Sequence, residues 1–305
     1  MKKIKLGGVL PASEIALGCM RIAGLPVADA EKLIRTAQEA GIDFFDHADI
    51  YGGGVSEEVF AKVVDMRPSV RESMLIQTKC GIRPGVCYDF SKEHILESVD
   101  GSLRRLRTEY IDVLLLHRPD TLMEPEEVAE AFDRLHTSGK VRYFGVSNQN
   151  PLQMELLAKY LRQPLLINQL QFSMAHTGMI DAGFHVDMKD QQASVRDGGV
   201  LEYCRLKDIT IQPWSPFQYG FFEGVFLDNE KFPELNQAVD EMAAAKGVTN
   251  TAIAIAWILR HPARMQPIVG TTKAERLKAI CRATDIQLTR EEWYQLYMAA
   301  GNTLP

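Results

Sequence analysis

The strongest constraint on the fold of this chain is a repeated alternation of two patterns. Short aliphatic or β-branched runs are followed by longer segments of helical periodicity. The runs that predict strands are Glu14–Met20, Asp43–Ala48, Met74–Cys80, Ile111–His117, Val141–Asn148, Leu165–Phe172, Asp208–Pro216 and Met265–Thr272. Strands alternating with helices predict parallel β/α units, and about eight such units close a barrel. The sequence therefore predicts an α/β fold, a (β/α)8 TIM barrel.

The boundaries of the predicted helices carry capping signals. Gly41 ends the helix predicted over Ala28–Ala40, and Ser91 caps the helix that follows the third strand. This second helix is predicted to bury one apolar face, formed by Leu96, Val99, Leu103 and Leu106. Two further helices are predicted, one over Pro125–His136 that ends near Gly139 and one over Pro151–Leu161 with Pro151 in its first turn.

Three segments lie outside the repeating units. Lys3–Leu10 predicts a small β-hairpin that caps the bottom of the barrel. Thr289–Ala300 predicts an extra C-terminal helix, with Thr289 as its cap and Glu292 three residues later. Met174–Val200 is long, polar and weakly periodic, which predicts a functional or mobile loop. No internal repeat separates the chain into parts, so residues 1–305 are predicted to form a single domain.

Charge and composition exclude several classes of protein. The net charge is −6 and the pI near 5.7, which does not provide the basic face that nucleic acid requires. No apolar run is long enough to predict a membrane span, and the first residues do not form a signal peptide. The five cysteines have no C-x-x-C spacing, so reduced thiols are expected rather than disulfides or structural zinc. We expect a monomeric cytoplasmic protein that binds no metal.

Polar residues follow several of the predicted strands, at the ends where such barrels carry their active sites. Asp46 lies at the end of the second strand, with Tyr51 in the loop beyond it, and Lys79 and His117 end the third and fourth strands. A nearby ammonium lowers the pKa of a phenol, and a carboxylate keeps that ammonium charged. An imidazole can donate a hydrogen bond to a carbonyl. Together these side chains predict a site that delivers a proton to a developing alkoxide.

The segments that contain these residues resemble the signature segments of the aldo-keto reductases. The resemblance spans most of the chain, in the order of the family. The segments that carry it are Phe45–Gly52, Gln77–Lys79, Leu114–His117, Gly145–Asn148, Asn168–Gln169, Trp214–Pro216 and Ile268–Leu277. It implies an NADPH-dependent reductase that transfers a hydride from the nicotinamide to a small-molecule aldehyde or ketone.

The resemblance also implies a role for individual residues. Tyr51 matches the general acid of the family, Lys79 and Asp46 the pair that tunes it, and His117 the residue that orients the carbonyl. The positions that match the family's nicotinamide contacts are Ser147, Asn148, Gln169 and Trp214. The other positions expected to contact the cofactor are Gly18, Cys19, Met20 and Asp46 at the first strand tips, Ser215, Phe217 and Gln218 along the pyrophosphate, and Gly270, Thr271, Thr272, Lys273 and Arg276 near the adenosine phosphate.

The last of these segments favours NADPH over NADH. A hydroxyl, a lysine and an arginine near a helix N-terminus suit a phosphate group. Gly270 departs from the lysine that many members of the family carry, and Lys273 is the neighbouring cation. The residues predicted to line the substrate pocket are Met20, Ile50, Tyr88, Phe172, Trp214 and the Met174–Val200 segment. They do not identify the substrate.

Two alternatives remain open from the sequence. In a metal-dependent hydrolase, His47, Asp49 and His117 would act as ligands at strand ends. Against this reading, strand alternation places His47 on the face opposite Asp46. A non-catalytic nucleotide sensor on the same fold is the second alternative. The complete set of Asp46, Tyr51, Lys79 and His117 argues against it.

Overall fold

All eight predicted strands are present in this computed structural model, which describes residues 1–305. The strands are β1 (Lys3–Leu6), β2 (Leu10–Ser13), β3 (Ala16–Gly18), β4 (Phe44–Asp46), β5 (Leu75–Cys80), β6 (Ile82–Arg83), β7 (Cys87–Tyr88), β8 (Ile111–Leu116), β9 (Val141–Ser147), β10 (Leu165–Gln171), β11 (Thr210–Trp214), β12 (Gln218–Tyr219), β13 (Gly224–Val225) and β14 (Ile268–Val269). The helices are α1 (Val27–Glu39), α2 (Val55–Val64), α3 (Pro68–Arg71), α4 (Lys92–Leu106), α5 (Pro125–Thr137), α6 (Pro151–Ala158), α7 (Gly178–Phe184), α8 (Val200–Leu206), α9 (Pro233–Lys246), α10 (Asn250–Leu259), α11 (Ala274–Cys281) and α12 (Arg290–Ala299).

The parallel strands form one eight-stranded sheet that curls into a barrel. Their order is β11-β10-β9-β8-β5-β4-β3-β14. The two outer strands meet at a seam, where the backbone N–H of Gln266, just before β14, donates to the carbonyl of Ile211 in β11 at 3.1 Å. Helices cover the outside of this sheet, so the fold is the predicted TIM barrel.

Strand alternation determines which side chains point into the barrel. Residues two apart on a strand share a face, so Phe44 and Asp46 point inward together, as do Leu115 and His117. The lower inward positions form an apolar floor: Leu6, Leu10, Ala12, Ala16, Phe44, Val113, Leu115, Leu166, Ile167 and Ile268. The first three belong to the β1–β2 hairpin, which closes the bottom of the barrel. The polar inward positions therefore lie above this floor, toward the mouth.

A glycine on β9 permits close packing within the barrel wall. A Cβ atom on Gly145 would lie 2.6 Å from the carbonyl oxygen of Ile167 and 2.7 Å from Cδ2 of Leu115. These distances are too short for any real Cβ contact, so neither neighbour leaves room for a larger residue. Two residues later on the same strand, Ser147 reaches the barrel mouth.

Several predicted helix boundaries are confirmed. The Ser91 side chain accepts from the N–H of His94 at the start of α4. Thr289 and Glu292 form the reciprocal capping box at the start of α12. One detail of the α4 stripe was wrong, because Ile95 is fully buried whereas Leu96 is only partly buried.

The structure differs from the sequence predictions in several irregular segments. The N-terminal hairpin extends to Ser13 instead of ending at Leu10, since Lys3 pairs with Ser13. Met174–Val200, which was predicted as a loop, contains α7 and a 3-10 turn at Gln191–Ala193. Two short hairpins, β6–β7 and β12–β13, were not predicted; their strands of two residues are too short to show periodicity.

No single helix is both long and apolar enough to cross a bilayer. Only α9 and α10 taken together reach that length and composition, and they meet at an angle of 93°.

The C-terminal helix is attached to the barrel through stacked indole rings. Trp293 of α12 stacks on Trp257 of α10 with centroids 4.8 Å apart, and Trp257 stacks in turn on Phe172. Each indole N–H donates to the backbone carbonyl of the other tryptophan, at 3.0 and 3.1 Å. Aromatic area and two buried hydrogen bonds therefore hold α12 in place.

Replacing Trp293 tests this attachment. Trp293→Ala is expected to lower the free energy of unfolding by about 3–5 kcal/mol, because it removes a buried ring and leaves a cavity. Trp293→Phe retains most of the ring contact but leaves the Trp257 carbonyl without its donor, so about 1–2 kcal/mol is expected. Urea unfolding followed by circular dichroism measures both. A loss below about 1 kcal/mol for the alanine variant would contradict this role.

Candidate active site

A lysine fully buried beneath the barrel mouth is the central feature of the site. Its Nζ donates to both carboxylate oxygens of Asp46, at 2.8 and 2.9 Å, and to the carbonyl of His47 at 2.8 Å. Burial by itself would lower the pKa of Lys79, but Asp46 and Tyr51 outweigh it and raise that pKa. Lys79 is therefore held as an ammonium ion.

The Tyr51 hydroxyl is the remaining neighbour of this ammonium. It lies 3.1 Å from Nζ of Lys79, within hydrogen-bonding distance. Burial raises the pKa of Tyr51 above its ordinary value of 10, while Lys79 acts in the opposite direction without outweighing burial. The prediction of a lowered pKa was thus wrong in net direction, although the lysine makes the expected contribution. At neutral pH the residue is a protonated phenol.

His117 completes the predicted set of four. Its ring lies edge-on to the Tyr51 ring, with centroids 5.9 Å apart. Burial, together with the charges of Lys79 and Arg118, lowers the pKa of His117 well below 6.5. The imidazole is therefore neutral at physiological pH, and one of its nitrogens carries a proton that can be donated to an oxygen.

Glutamine side chains inside the barrel hold the Asp46 carboxylate from below. Nε2 of Gln77 donates to Oδ1 of Asp46 at 2.6 Å, and Nε2 of Gln169 donates to the same oxygen at 3.1 Å. Both amides also donate to Oε1 of Gln212, at 2.8 and 3.1 Å. This arrangement fixes the orientation of each amide, and none of these glutamines except Gln169 was predicted.

The chain of amides continues to the lower part of the barrel. Gln212 donates to Oε1 of Gln266 at 2.8 Å, and Gln266 donates to the backbone carbonyl of Ser13 at 2.6 Å. A polar layer thus connects the carboxylate under the mouth with β2 of the N-terminal hairpin. Because these groups are buried, each bond that is lost would leave an unpaired polar atom.

A cavity of about 980 Å³ opens above these residues. Of the predicted catalytic residues it exposes Asp46, Tyr51 and His117, whereas Lys79 lies beneath its floor. The predicted cofactor residues that line it are Gly18, Met20, Asp46, Ser147, Asn148, Gln169, Trp214, Ser215, Phe217, Gln218, Gly270, Thr271 and Arg276. Cys19, Thr272 and Lys273 do not line it.

Hydrogen bonds orient the polar residues at the carboxyl ends of β9 to β11. The Ser147 hydroxyl donates to the carbonyl of Gln169 at 3.0 Å, and Nδ2 of Asn148 donates to the Ser147 hydroxyl at 2.7 Å. Trp214 Nε1 donates to Oδ1 of Asn148 at 3.0 Å, which fixes the position of the indole. Asn148 adopts a left-handed backbone conformation with φ of 59°, and its side-chain amide bridges Ser147 and Trp214.

Comparison with protein families decides what this barrel is. The model of the Aldo/keto reductase family matches residues 14–299, nearly the whole chain.

The chain belongs to the aldo/keto reductase family.

Relatives in other organisms agree with this membership. The chain is 38% identical to the uncharacterized oxidoreductase YcsN of Bacillus subtilis (strain 168), over the full length of both proteins. It is 34% identical to a 6-dehydroglucose reductase of Novosphingobium aromaticivorans, with 97% of this chain and 94% of the relative covered. A crystal structure of the thermostable aldo-keto reductase Tm1743 matches with a TM-score of 0.79 at 27% identity, over 98% of this chain and 100% of that one. The protein is thus an NAD(P)H-dependent oxidoreductase.

The residues around the cavity suit a nicotinamide dinucleotide of the kind that aldo/keto reductases use. At one end, both N–H interactions of Gln169 Nε2 are directed downward to Asp46 and Gln212, which leaves its Oε1 as the acceptor available to a ligand. At the other end, the exposed guanidinium of Arg276 makes no ion pair within the protein. The cavity therefore offers polar groups for the two ends of one extended molecule.

The family resemblance missed several residues that the fold brings to this cavity. Arg118 follows His117 directly, and Phe221 and Phe222 lie on the turn between β12 and β13. The start of α10, residues 249–251, lines the cavity next to Arg276. The position of Arg118 beside a strand-end histidine was a signal in the sequence. Phe221 and Phe222 left no such signal in the sequence, since a hairpin with strands of two residues shows no periodicity.

Two predictions about the substrate pocket were wrong. Phe172 does not line the cavity; it is fully buried and stacks on Trp257. The Met174–Val200 segment lines a separate polar cavity of about 800 Å³ instead, with His176 and Arg196 in its wall. Asn148 is common to both cavities.

The residues of the metal-hydrolase alternative do not converge. His47 points away from the mouth, fully buried, with its ring edge-on to Phe60 at a centroid distance of 4.6 Å. Neither ring nitrogen of His47 has a hydrogen-bond partner in the protein. No three His, Cys, Asp or Glu side chains are arranged to hold a metal ion.

The buried His47 should make stability depend on pH. Burial, aided by the charge of Lys79, lowers its pKa from 6.5 to about 3. The folded protein therefore resists protonation of this ring, whereas the unfolded chain takes up a proton below pH 6.5. The stability contribution is complete above that pH and is lost as the pH falls toward 3, at up to about 1.4 kcal/mol per pH unit.

His47→Leu is expected to make this dependence shallower by about 1 kcal/mol per pH unit between roughly pH 4 and 6. Urea unfolding at several pH values measures the slope. His136, exposed on α5, provides the control, and His136→Leu should leave the slope unchanged. Identical slopes for the wild type and His47→Leu would contradict the prediction.

Proposed function

We propose that the protein is an NADPH-dependent carbonyl reductase in which Tyr51 donates the proton. The observation that supports this most directly is the distance of 3.1 Å between the Tyr51 hydroxyl and Nζ of Lys79, at the floor of a cavity that also contains His117. A phenol, an ammonium ion and a neutral imidazole converge there. This combination suits the stabilisation and protonation of an alkoxide.

Proton transfer follows from the charges around Tyr51. Because burial keeps its pKa above 10, the phenol retains its proton until a stronger base forms beside it. An alkoxide is such a base. The tyrosinate that remains would be stabilised by the Lys79 ammonium, which Asp46 holds in place with two short contacts. His117 would hold the same substrate oxygen through its N–H.

We infer that the cofactor is NADPH, and that it lies along the cavity with Ser147, Asn148, Gln169 and Trp214 around the nicotinamide. When bound, it would supply the hydride for the carbonyl carbon. Thr271 and Arg276 line the far end of the cavity, and the unpaired guanidinium there suits a phosphate. Lys273 is exposed outside the cavity wall, so Arg276 is the stronger candidate for that charge.

We further infer that residues 1–305 form one domain, since a single eight-stranded sheet contains strands from both ends of the chain. The substrate is proposed only as a small carbonyl compound. Relatives named 6-dehydroglucose reductase, at 34% and 33% identity, support a carbonyl substrate.

Tyr51→Phe tests the proton donor. The variant lacks the hydroxyl but retains the ring, so the rate of aldehyde reduction should fall by about 100-fold or more. Binding of NADPH, followed by quenching of protein fluorescence, should be nearly unchanged. Tyr88→Phe is the matched control: it removes a hydroxyl from the same cavity and should have a far smaller effect. Turnover by Tyr51→Phe close to the wild-type rate would exclude this role.

Arg276→Ala tests the phosphate site. The KM for NADPH should rise about tenfold, the effect of one charge-assisted contact, while the KM for NADH changes little. Lys278→Ala is the control, because this cation lies on the same helix, pairs with Glu275 and does not line the cavity. Steady-state kinetics with both cofactors measures the difference. An equal loss for NADPH and NADH would contradict recognition of the phosphate.

A further inference from the structure

Arg118 is a charged residue of the cavity that the proposed chemistry does not use. It follows His117 at the end of β8 and lines the cavity at its reacting end. Its guanidinium carbon lies 5.6 Å from the centre of the Trp214 ring and 5.4 Å from the centre of the Phe221 ring. The cation thus contacts two aromatic rings from different parts of the chain.

The charge of Arg118 is not neutralised within the protein. It takes part in no ion pair, and its side chain makes no hydrogen bond. Only two carboxylates line the cavity, and neither is available to it: Asp46 is bound by Lys79, and Asp228 accepts from Asn250 at the α10 end. The Arg118 guanidinium therefore carries several N–H donors that have no acceptor within the protein.

The surroundings of Arg118 hold it in place before a ligand arrives. Trp214 is fixed by its hydrogen bond to Asn148, so one of the rings beside the guanidinium has a defined position. Partial burial lowers the pKa of Arg118 below its ordinary value, which reflects the cost of removing water from the charge. A ligand that supplies an anionic oxygen would recover that cost, and little side-chain entropy would be lost.

We propose that Arg118 binds an oxyanion of the substrate, so that the preferred substrates are aldehydes or ketones that carry a carboxylate. A guanidinium binds a carboxylate through two parallel hydrogen bonds, which a neutral carbonyl compound cannot replace. Since Arg118 and His117 line the same cavity, one small ligand can meet both side chains. This inference rests on the proposed reductase function and adds the class of its substrate.

The test compares two substrates that differ in one charge, 4-oxobutanoate and its methyl ester. With the wild-type enzyme and NADPH, kcat/KM for the acid should exceed that for the ester by about tenfold or more, as expected for a charge-assisted hydrogen bond. The preference should decrease as salt is added, because added ions screen the attraction. D-glyceraldehyde serves as a neutral polyol for comparison.

Arg118→Met should abolish the preference. The ratio of the two kcat/KM values should approach one, mainly through a higher KM for the acid, while the ester is reduced about as well as before. Arg118→Lys should restore part of the preference, since it keeps the charge without the paired donors. Arg21→Met is the matched control. It removes another guanidinium from the same cavity, one that contacts neither Trp214 nor Phe221, and should retain the wild-type ratio.

The outcomes separate this inference from the proposed function. If the wild type reduces the ester or D-glyceraldehyde as efficiently as 4-oxobutanoate, the enzyme is a reductase but Arg118 does not select acids. If Arg118→Met lowers kcat/KM equally for acid and ester, the residue supports Trp214 instead of binding substrate. If none of the compounds is reduced with either cofactor, the proposed function itself fails. Should the methionine variant not fold, the wild-type ratio, its salt dependence and the lysine variant decide the matter.

Discussion

The rest of the site depends on the burial of one ammonium ion. Lys79 has no exposed side-chain surface, and an isolated charge there would cost more free energy than a protein of this size can supply. Both oxygens of Asp46, the carbonyl of His47 and the Tyr51 hydroxyl surround it and offset that cost. Removing any one of these neighbours would leave the charge less compensated. The positions of the phenol and the carboxylate are therefore tied to the lysine.

The layers of the barrel interior explain how such a group can be supported. An apolar floor, partly supplied by Leu6 and Leu10 of the hairpin, excludes water from below. Above it, glutamine amides connect Asp46 to Gln212 and onward to Gln266 and the backbone of β2. Each amide nitrogen in this chain donates to an acceptor, whereas Oε1 of Gln77 has no partner in the protein. Connected donors of this kind favour one geometry. The N-terminal hairpin thus contributes to the site although it lies at the opposite end of the barrel.

The mouth of the barrel combines a rigid part with a more open one. Ser147, Asn148 and Trp214 are linked by hydrogen bonds at strand ends, so their positions follow from the sheet. Phe221 and Phe222 are more than half exposed, on a short hairpin whose residues line the cavity. Arg118 contacts both parts, since it lies over the rings of Trp214 and Phe221. The fixed strand ends suit the part of a ligand common to the family, and the hairpin suits the part that varies.

The sequence by itself determined the eight strands, the caps at Ser91 and Thr289, and the polar residues at the strand ends, because alternation and capping are local properties of the chain. Only the tertiary structure determined the rest. The glutamine network joins residues up to 253 positions apart, and Phe221 reaches Arg118 through a hairpin too short to leave a periodic pattern. The direction of the Tyr51 pKa shift also required the fold. Burial and the lysine charge act against each other, and their balance depends on how much water the packed barrel excludes.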